Sequence, residues 1–352
     1  MELGISNFGE IQPEGVAGGA VGAHQRVQEL LEEIKLADEV GLDVYALGEH
    51  HRADFVISAP EVILAAAAAL TKTIRLSSAV TVLSSADPVR VFQNFATLDL
   101  ISNGRAEIIA GRGSFIESFP LFGYDLKDYD ALFEEKLDLL LTLNQSEVVT
   151  WQGKHRASIP GLGVYPRPLQ AQIPIWLAVG GTPGSAVRAG SLNVPMTLAM
   201  LGGSPERFVP LVNLYRQAAQ RAGHDVTHLP LALNSQFYAA EDSQRAAAEF
   251  FPPYQLLMNR VGKERGWSPI GREHFEAMRQ HGPLLVGSPQ QIIDKLLGFH
   301  ELFGNTRYLG QLVGGHLIPH EKNLRAIELF GTKIAPVVRK AVEVSAGKAL
   351  LT

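Results

Sequence analysis

Residues 43–51 read Asp-Val-Tyr-Ala-Leu-Gly-Glu-His-His, and the break inside this stretch decides the fold. Val44 to Leu47 are apolar without polar alternation, as in a strand covered on both faces, and Gly48 leads straight into three ionisable side chains. Downstream, an Ala-rich helix over 60–70, an apolar strand over 74–83, a helix over 89–101 and a strand over 105–111 continue the pattern. Upstream, a strand over 2–8 precedes Val27, Leu30, Leu31 and Ile34, which recur at helical spacing. Buried strands alternating with amphipathic helices are the mark of βα units around a parallel sheet. Further strands over 174–179, 194–201, 230–238 and 307–313 bring the number to eight. No Gly/Ser linker divides the chain, so the pattern predicts one α/β domain over 1–352, a (β/α)₈ TIM barrel. Residues 147–172 and 251–283, rich in Gly and Pro, depart from the alternation. They read as insertions, one after the fourth or fifth strand and one after the seventh.

Charge and composition exclude several functions. With 31 Lys and Arg against 36 Asp and Glu, the net charge of −5 gives no basic field for nucleic acid or an anionic membrane. The absence of cysteine removes disulfides, zinc-thiolate and iron–sulfur sites and any thiol nucleophile. The first residues lack the basic and apolar regions of a secretory signal, and the longest apolar run, 62–70, is shorter than a membrane span of about 20 residues. A cytoplasmic protein is expected.

In such a barrel, chemistry gathers where the strands end. The residues at those ends are Asn7 and Phe8, Glu49 to His51, residues 83–87, Arg112 and Gly113, residues 180–185, and Gly314 to His316. One of His50 and His51 is expected in the mouth as a general acid or base, since neighbouring side chains on an extended segment point in opposite directions. The competing reading is a loop histidine hydrogen-bonded to its neighbours. A metal site would need further ligands that no HxH or HExxH pattern supplies. Arg105 opens the fourth strand on the stability face, whereas Arg112 follows it and can reach an anion over the mouth. After the fifth strand, Gly180-Gly181-Thr182-Pro183-Gly184-Ser185 opens a helix, where free N–H groups and two hydroxyls offer a phosphate cradle. The glycine-rich stretch 15–22 reads as a loop after the first strand. The helix over 60–70 is apolar almost all round at Ala65 to Ala69, which predicts a covering subunit, or else burial under an insertion.

Taken in order, several short segments resemble the bacterial luciferase-like flavin-dependent monooxygenases: residues 37–43, Glu49-His50-His51, residues 78–90, 98–105 with Gly111-Arg112-Gly113, Tyr165-Pro166-Arg167-Pro168, 174–185 and 286–290. The resemblance implies a (β/α)₈ barrel that uses FMN, reduced by a separate reductase, with oxygen and a small organic substrate. It implies a homodimer through the helices 60–70 and 89–101. It places the flavin phosphate at Arg112, Gly180, Gly181, Thr182 and Ser185, the flavin ring against Ala79 and Val80 at a non-proline cis bond, and the catalytic base at His50. It makes 251–283 the mobile substrate loop. The reactive cysteine of luciferase is replaced by Gly111, which argues against light emission, and the acidic residue of the phosphate turn is replaced by Gly180. A deazaflavin-dependent hydride-transfer enzyme and a flavin-binding protein without turnover are the alternatives, with a metal-dependent barrel hydrolase third.

Overall fold

Eight parallel strands close on themselves in the computed structural model, which describes residues 1–11, 22–113, 115–227, 229–312 and 318–349. They are β1 (Glu2–Asn7), β2 (Val44–Leu47), β3 (Arg75–Ser78), β4 (Ala106–Gly111), β5 (Ile175–Val179), β6 (Met196–Ala199), β7 (Leu231–Ala239) and β8 (Arg307–Leu312). Closure runs through β8, which pairs with both β1 and β7 in parallel register, Glu2 opposite Arg307 and Leu233 opposite Tyr308. The glycine-rich residues 15–21 and residues 314–316 lie outside the described residues.

Two side-chain layers result. Between strands and helices lies the main apolar core, and inside the barrel a small cluster of Val44, Ile109, Trp176, Ala232 and Leu309 fills the middle. Below that cluster Arg307 pairs with Glu107 at 2.6 and 3.0 Å and lies over the Trp176 ring, closing the bottom. The barrel therefore opens only at the carboxyl ends of its strands, as a packed barrel must.

Local signals place the helices. Helix Pro88–Ser102 starts where the Asp87 carboxylate accepts the Val89 and Arg90 amides and stops at Asn103, which is left-handed with φ 59°. Arg105, at the bottom of β4, donates from Nη1 to the Ile74 carbonyl and from Nη2 to the carbonyls of Ala68 and Thr71, gathering the end of helix Pro60–Leu70. It carries fold stability far from the mouth. Arg105→Ala should cost about 3 kcal/mol, because buried carbonyls lose charged donors. Urea unfolding checks this, and a loss under 1 kcal/mol would contradict the assignment.

Three expectations need correction. The strand over 74–83 is broken at a cis Ala79–Val80 bond into β3 and a two-residue strand, Thr81–Val82, that pairs with β4. The stretch 251–283 is mostly helical rather than a loop: helix Ser243–Arg265 runs through Pro252 and Pro253, and helix Arg272–Gln280 follows. Phe250, Tyr254, Leu257, Met258 and Val261 recur every three or four residues, and that period outweighs the two prolines. A short strand, Leu285–Gly287, then pairs in parallel with the last residues of β7, Phe237 to Ala239. Ala67 and Ala68 face the protein's own core, while Val62, Ala66, Ala69 and Leu70 point outward. A run of five alanines carries no phase from which to choose among them. Residues 147–172 hold an antiparallel hairpin, Val148–Trp151 with Ile159–Gly163, off the barrel and between β4 and β5.

Candidate active site

A cavity of about 300 Å³ occupies the mouth, reached by residues from the end of every strand. Ile109 and Leu309 of the inner cluster form its floor, and Leu257, Met258 and Val261 of helix Ser243–Arg265 form part of its cover. Arg260 on the same helix pairs with Asp54 at 2.7 Å, which fastens the cover to the loop after β2. Its walls are chiefly apolar, so polar groups facing inward are set in a medium where charge is costly.

His50 lies in this cavity and His51 does not. The His50 ring is packed by Phe8, Phe55 and Phe115, with centroids 4.9, 4.3 and 5.2 Å away, and it makes no side-chain hydrogen bond to a described residue. Burial, helped by the charges of Arg52 and His51 and opposed by Asp54, pushes its pKa down to about 4. The imidazole is therefore neutral at physiological pH. Glu49 Oε1 lies 2.7 Å from His51 Nε2, and Glu49 Oε2 accepts the Val82 amide. The Glu49 pair fixes the loop, and His50 is left facing the cavity.

Arg112, Thr182 and Ser185 come together where β4 and β5 end. Arg112 Nη2 donates to Thr182 Oγ1 at 3.2 Å and to Ser185 Oγ at 3.3 Å. Gly113, at φ 82°, and Gly181, at φ 120°, hold backbone conformations that favour glycine, and the space beside Gly180, Gly181 and Gly184 is open. Helix Pro183–Ser191 begins here with no side-chain cap, so the positive end of its dipole lies at the cradle, although Pro183 has no N–H and the Ser185 amide donates to the Thr182 carbonyl. The Tyr129 ring lies under the guanidinium, and Tyr129 Oη donates to the Gly113 carbonyl. The sequence reading has no acid in this cradle, yet Asp130 accepts from Arg112 Nη1 at 2.6 Å. It arrives from helix Tyr129–Gln145, a separate element, and no spacing within the turn could show it.

Ala79 and Val80 also line the cavity, beside Gly111. A Cβ built on Gly111 would meet Val80 Cγ2 at 2.8 Å, so a cysteine there would displace the valine. A guanidinium and two hydroxyls at one part of the cavity and apolar walls elsewhere fit a phosphate-bearing ring cofactor.

Glu10 is a site residue that sequence reading missed. It is buried in the cavity wall, and neither carboxyl oxygen has a hydrogen-bond partner among the described residues. Burial raises its pKa to about 7, opposed by its own backbone amide and by Arg26, with Glu33 and Asp54 adding. The two buried groups act on stability with opposite signs. His50, at about 4 against an ordinary 6.5, contributes stability that is lost as pH falls through that interval. Glu10, at about 7 against an ordinary 4.5, contributes stability that is present in acid and lost as pH rises towards 7. Between pH 4.5 and 6.5 the two slopes offset each other. Glu10→Gln should uncover the histidine slope, losing about 2–3 kcal/mol on acidification across that window. Urea melts at several pH values check this; parallel wild-type and variant profiles would contradict it.

Comparison with known proteins is decisive at this point, because residues 1–306 match the luciferase-like monooxygenase family. The chain belongs to that family. It is 28% identical to an uncharacterised protein, y4vJ, of Sinorhizobium fredii, covering 90% of this chain and 93% of that one. It is also 28% identical to the oxygenase component of a flavin-dependent trigonelline monooxygenase of Acinetobacter baylyi, over 81% and 82%. The monooxygenase RslO1 of Streptomyces bottropensis has the same fold at a TM-score of 0.83 and 26% identity, over 96% and 99%. At lower identity the fold alone is shared. The oxygenating constituent of the 3,6-diketocamphane monooxygenase of Pseudomonas putida, solved with FMN, has a TM-score of 0.78 at 21% identity over 96% and 98%. An F420-dependent secondary alcohol dehydrogenase has 0.72 at 18% over 96% and 99%.

Proposed function

We propose that this chain is an FMN-dependent monooxygenase acting on a small organic molecule in the barrel mouth. The observation that carries the reading is the division of one cavity into an anion-binding end, at Arg112, Thr182 and Ser185, and a proton-handling end at His50. Bound reduced FMN would supply the electrons that activate oxygen. The protein's own part is to hold the phosphate with Arg112, the two hydroxyls and the amides at Gly180 and Gly181, to shelter the ring beside Ala79 and Val80, and to keep water out with helix Ser243–Arg265. His50, neutral and held by three aromatic rings, would accept a proton from bound substrate. No nicotinamide-binding motif is present, so a separate reductase would deliver reduced flavin to this cytoplasmic enzyme.

The open space beside Gly181 and Gly184 favours the second reading, a deazaflavin with a longer phosphate-bearing tail. Fluorescence titration with FMN and with F420, followed by mixing the reduced complex with oxygen, separates the readings. Tighter FMN binding with oxygen-dependent reoxidation is expected. Tighter F420 binding, or bound FMN that oxygen leaves reduced, would contradict the proposal.

The outward face of helices Pro60–Leu70 and Pro88–Ser102 would seat a second copy. Val62, Leu70, Leu100 and Ile101 are each about half exposed or more, an apolar patch that water disfavours. Sedimentation should give a dimer, and Val62→Glu with Leu100→Glu should give monomer. A wild-type monomer at micromolar concentration would refute the interface.

A further inference from the structure

Glu10 stands apart from every other carboxyl of the mouth because neither of its oxygens has a hydrogen-bond partner among the described residues. Arg26, the cation closest in effect, is already held by Glu29 at 3.3 Å and Glu33 at 2.7 Å. Glu33 in turn accepts from Asn7 and Tyr45, and Asp54 is paired with Arg52 and Arg260. Both Glu10 oxygens are sealed from bulk water and without a hydrogen bond among the described residues. A buried polar group is ordinarily partnered, so a carboxyl left bare in a cavity wall is one whose partner arrives with a ligand.

Its placement says which ligand. Residue 10 pairs with Phe55 in an antiparallel bridge, flanked by the bonds Val56 N–H to the Gly9 carbonyl and Ile11 N–H to the Asp54 carbonyl. Paired residues in such a bridge present their side chains on one face. The ring of Phe55 lies 4.3 Å from His50, so Glu10 and His50 flank the same aromatic wall. Phe8, Phe115 and Trp267 complete that wall. We propose that Glu10 recognises the substrate, donating a hydrogen bond from its carboxyl to an acceptor oxygen or nitrogen of an uncharged molecule whose flat apolar body lies against Phe8, Phe55 and Phe115. This rests on the reading of the mouth as the substrate site. Burial, opposed by the residue's own backbone amide and by Arg26 and helped by Glu33 and Asp54, keeps the carboxyl largely protonated below pH 7, which is the donor form.

Three probes of one skeleton test it: acetophenone, which only accepts; 1-phenylethylamine, a cation at neutral pH; and ethylbenzene, which has no polar group. Affinities by ligand-observed NMR at pH 6 are combined with the infrared carboxyl band that Glu10→Gln removes. Acetophenone should bind several-fold tighter than either other probe and shift the band. Glu10→Ala should weaken acetophenone about two- to tenfold, and Glu10→Gln, which keeps a donor, should restore most of it. Preference for the ammonium probe, a band that acetophenone does not move, or wild-type affinity in Glu10→Ala would overturn the proposal. FMN titration of the same proteins keeps the flavin reading separate. Failure of wild type to bind FMN sinks that reading alone, and an unmoved band in FMN-loaded protein sinks this one alone.

Discussion

Replacing His50 with alanine should reduce turnover about a hundredfold while FMN affinity stays within a factor of two or three. General acid–base groups contribute about 10²–10⁴, and the lower end applies because a base whose pKa is pushed down to about 4 is a weak one at neutral pH. The pH profile follows from the same burial. A solvent-exposed histidine would give kcat/KM an acid limb near 6.5, whereas His50 should place that acid limb near 4. His50→Phe separates chemistry from packing, since it keeps an aromatic ring against Phe8, Phe55 and Phe115 but cannot take a proton. Wild-type turnover in His50→Phe would make the residue a packing element. His51→Ala should act differently, loosening the Glu49 loop and affecting stability first.

The second large effect is on cofactor binding. Arg112→Ala should weaken FMN about ten- to a hundredfold, the range for hydrogen bonds to a charged group. Asp130 must yield Arg112 to the phosphate, but its side chain is 70% exposed, and exposed pairs contribute at most about 1 kcal/mol. The cost of breaking the pair is smaller than the gain. Arg112→Lys should recover only part of the affinity, because an ammonium cannot reproduce the fork whose Nη2 reaches Thr182 and Ser185 while Nη1 remains for the phosphate. Unchanged FMN affinity in Arg112→Ala, by fluorescence titration, would remove it from the site.

Much of this was legible in the sequence for identifiable reasons. Strands buried on both faces read as unbroken apolar runs, and the resemblance segments that hold His50, Arg112, Thr182 and Ser185 fell at strand ends, so the barrel and this group were read together. What stayed hidden depends on elements that sequence spacing does not connect. Asp130 reaches Arg112 across 18 residues. Glu10 becomes unusual only because Arg26 is taken by Glu29 and Glu33 and because Phe55 lies across from it. The alanines of helix Pro60–Leu70 could not be phased, and Pro252 and Pro253 masked a helix that its apolar spacing supports.

A crystal structure of the protein loaded with FMN is the most direct measurement of whether this mouth is a flavin site. The phosphate should lie within hydrogen-bond distance of Arg112, Thr182 and Ser185, with Asp130 turned away and the ring against Ala79 and Val80 on the side facing His50. A phosphate bound elsewhere, or a ring that leaves the wall of Ala79 and Val80 bare, would contradict the account.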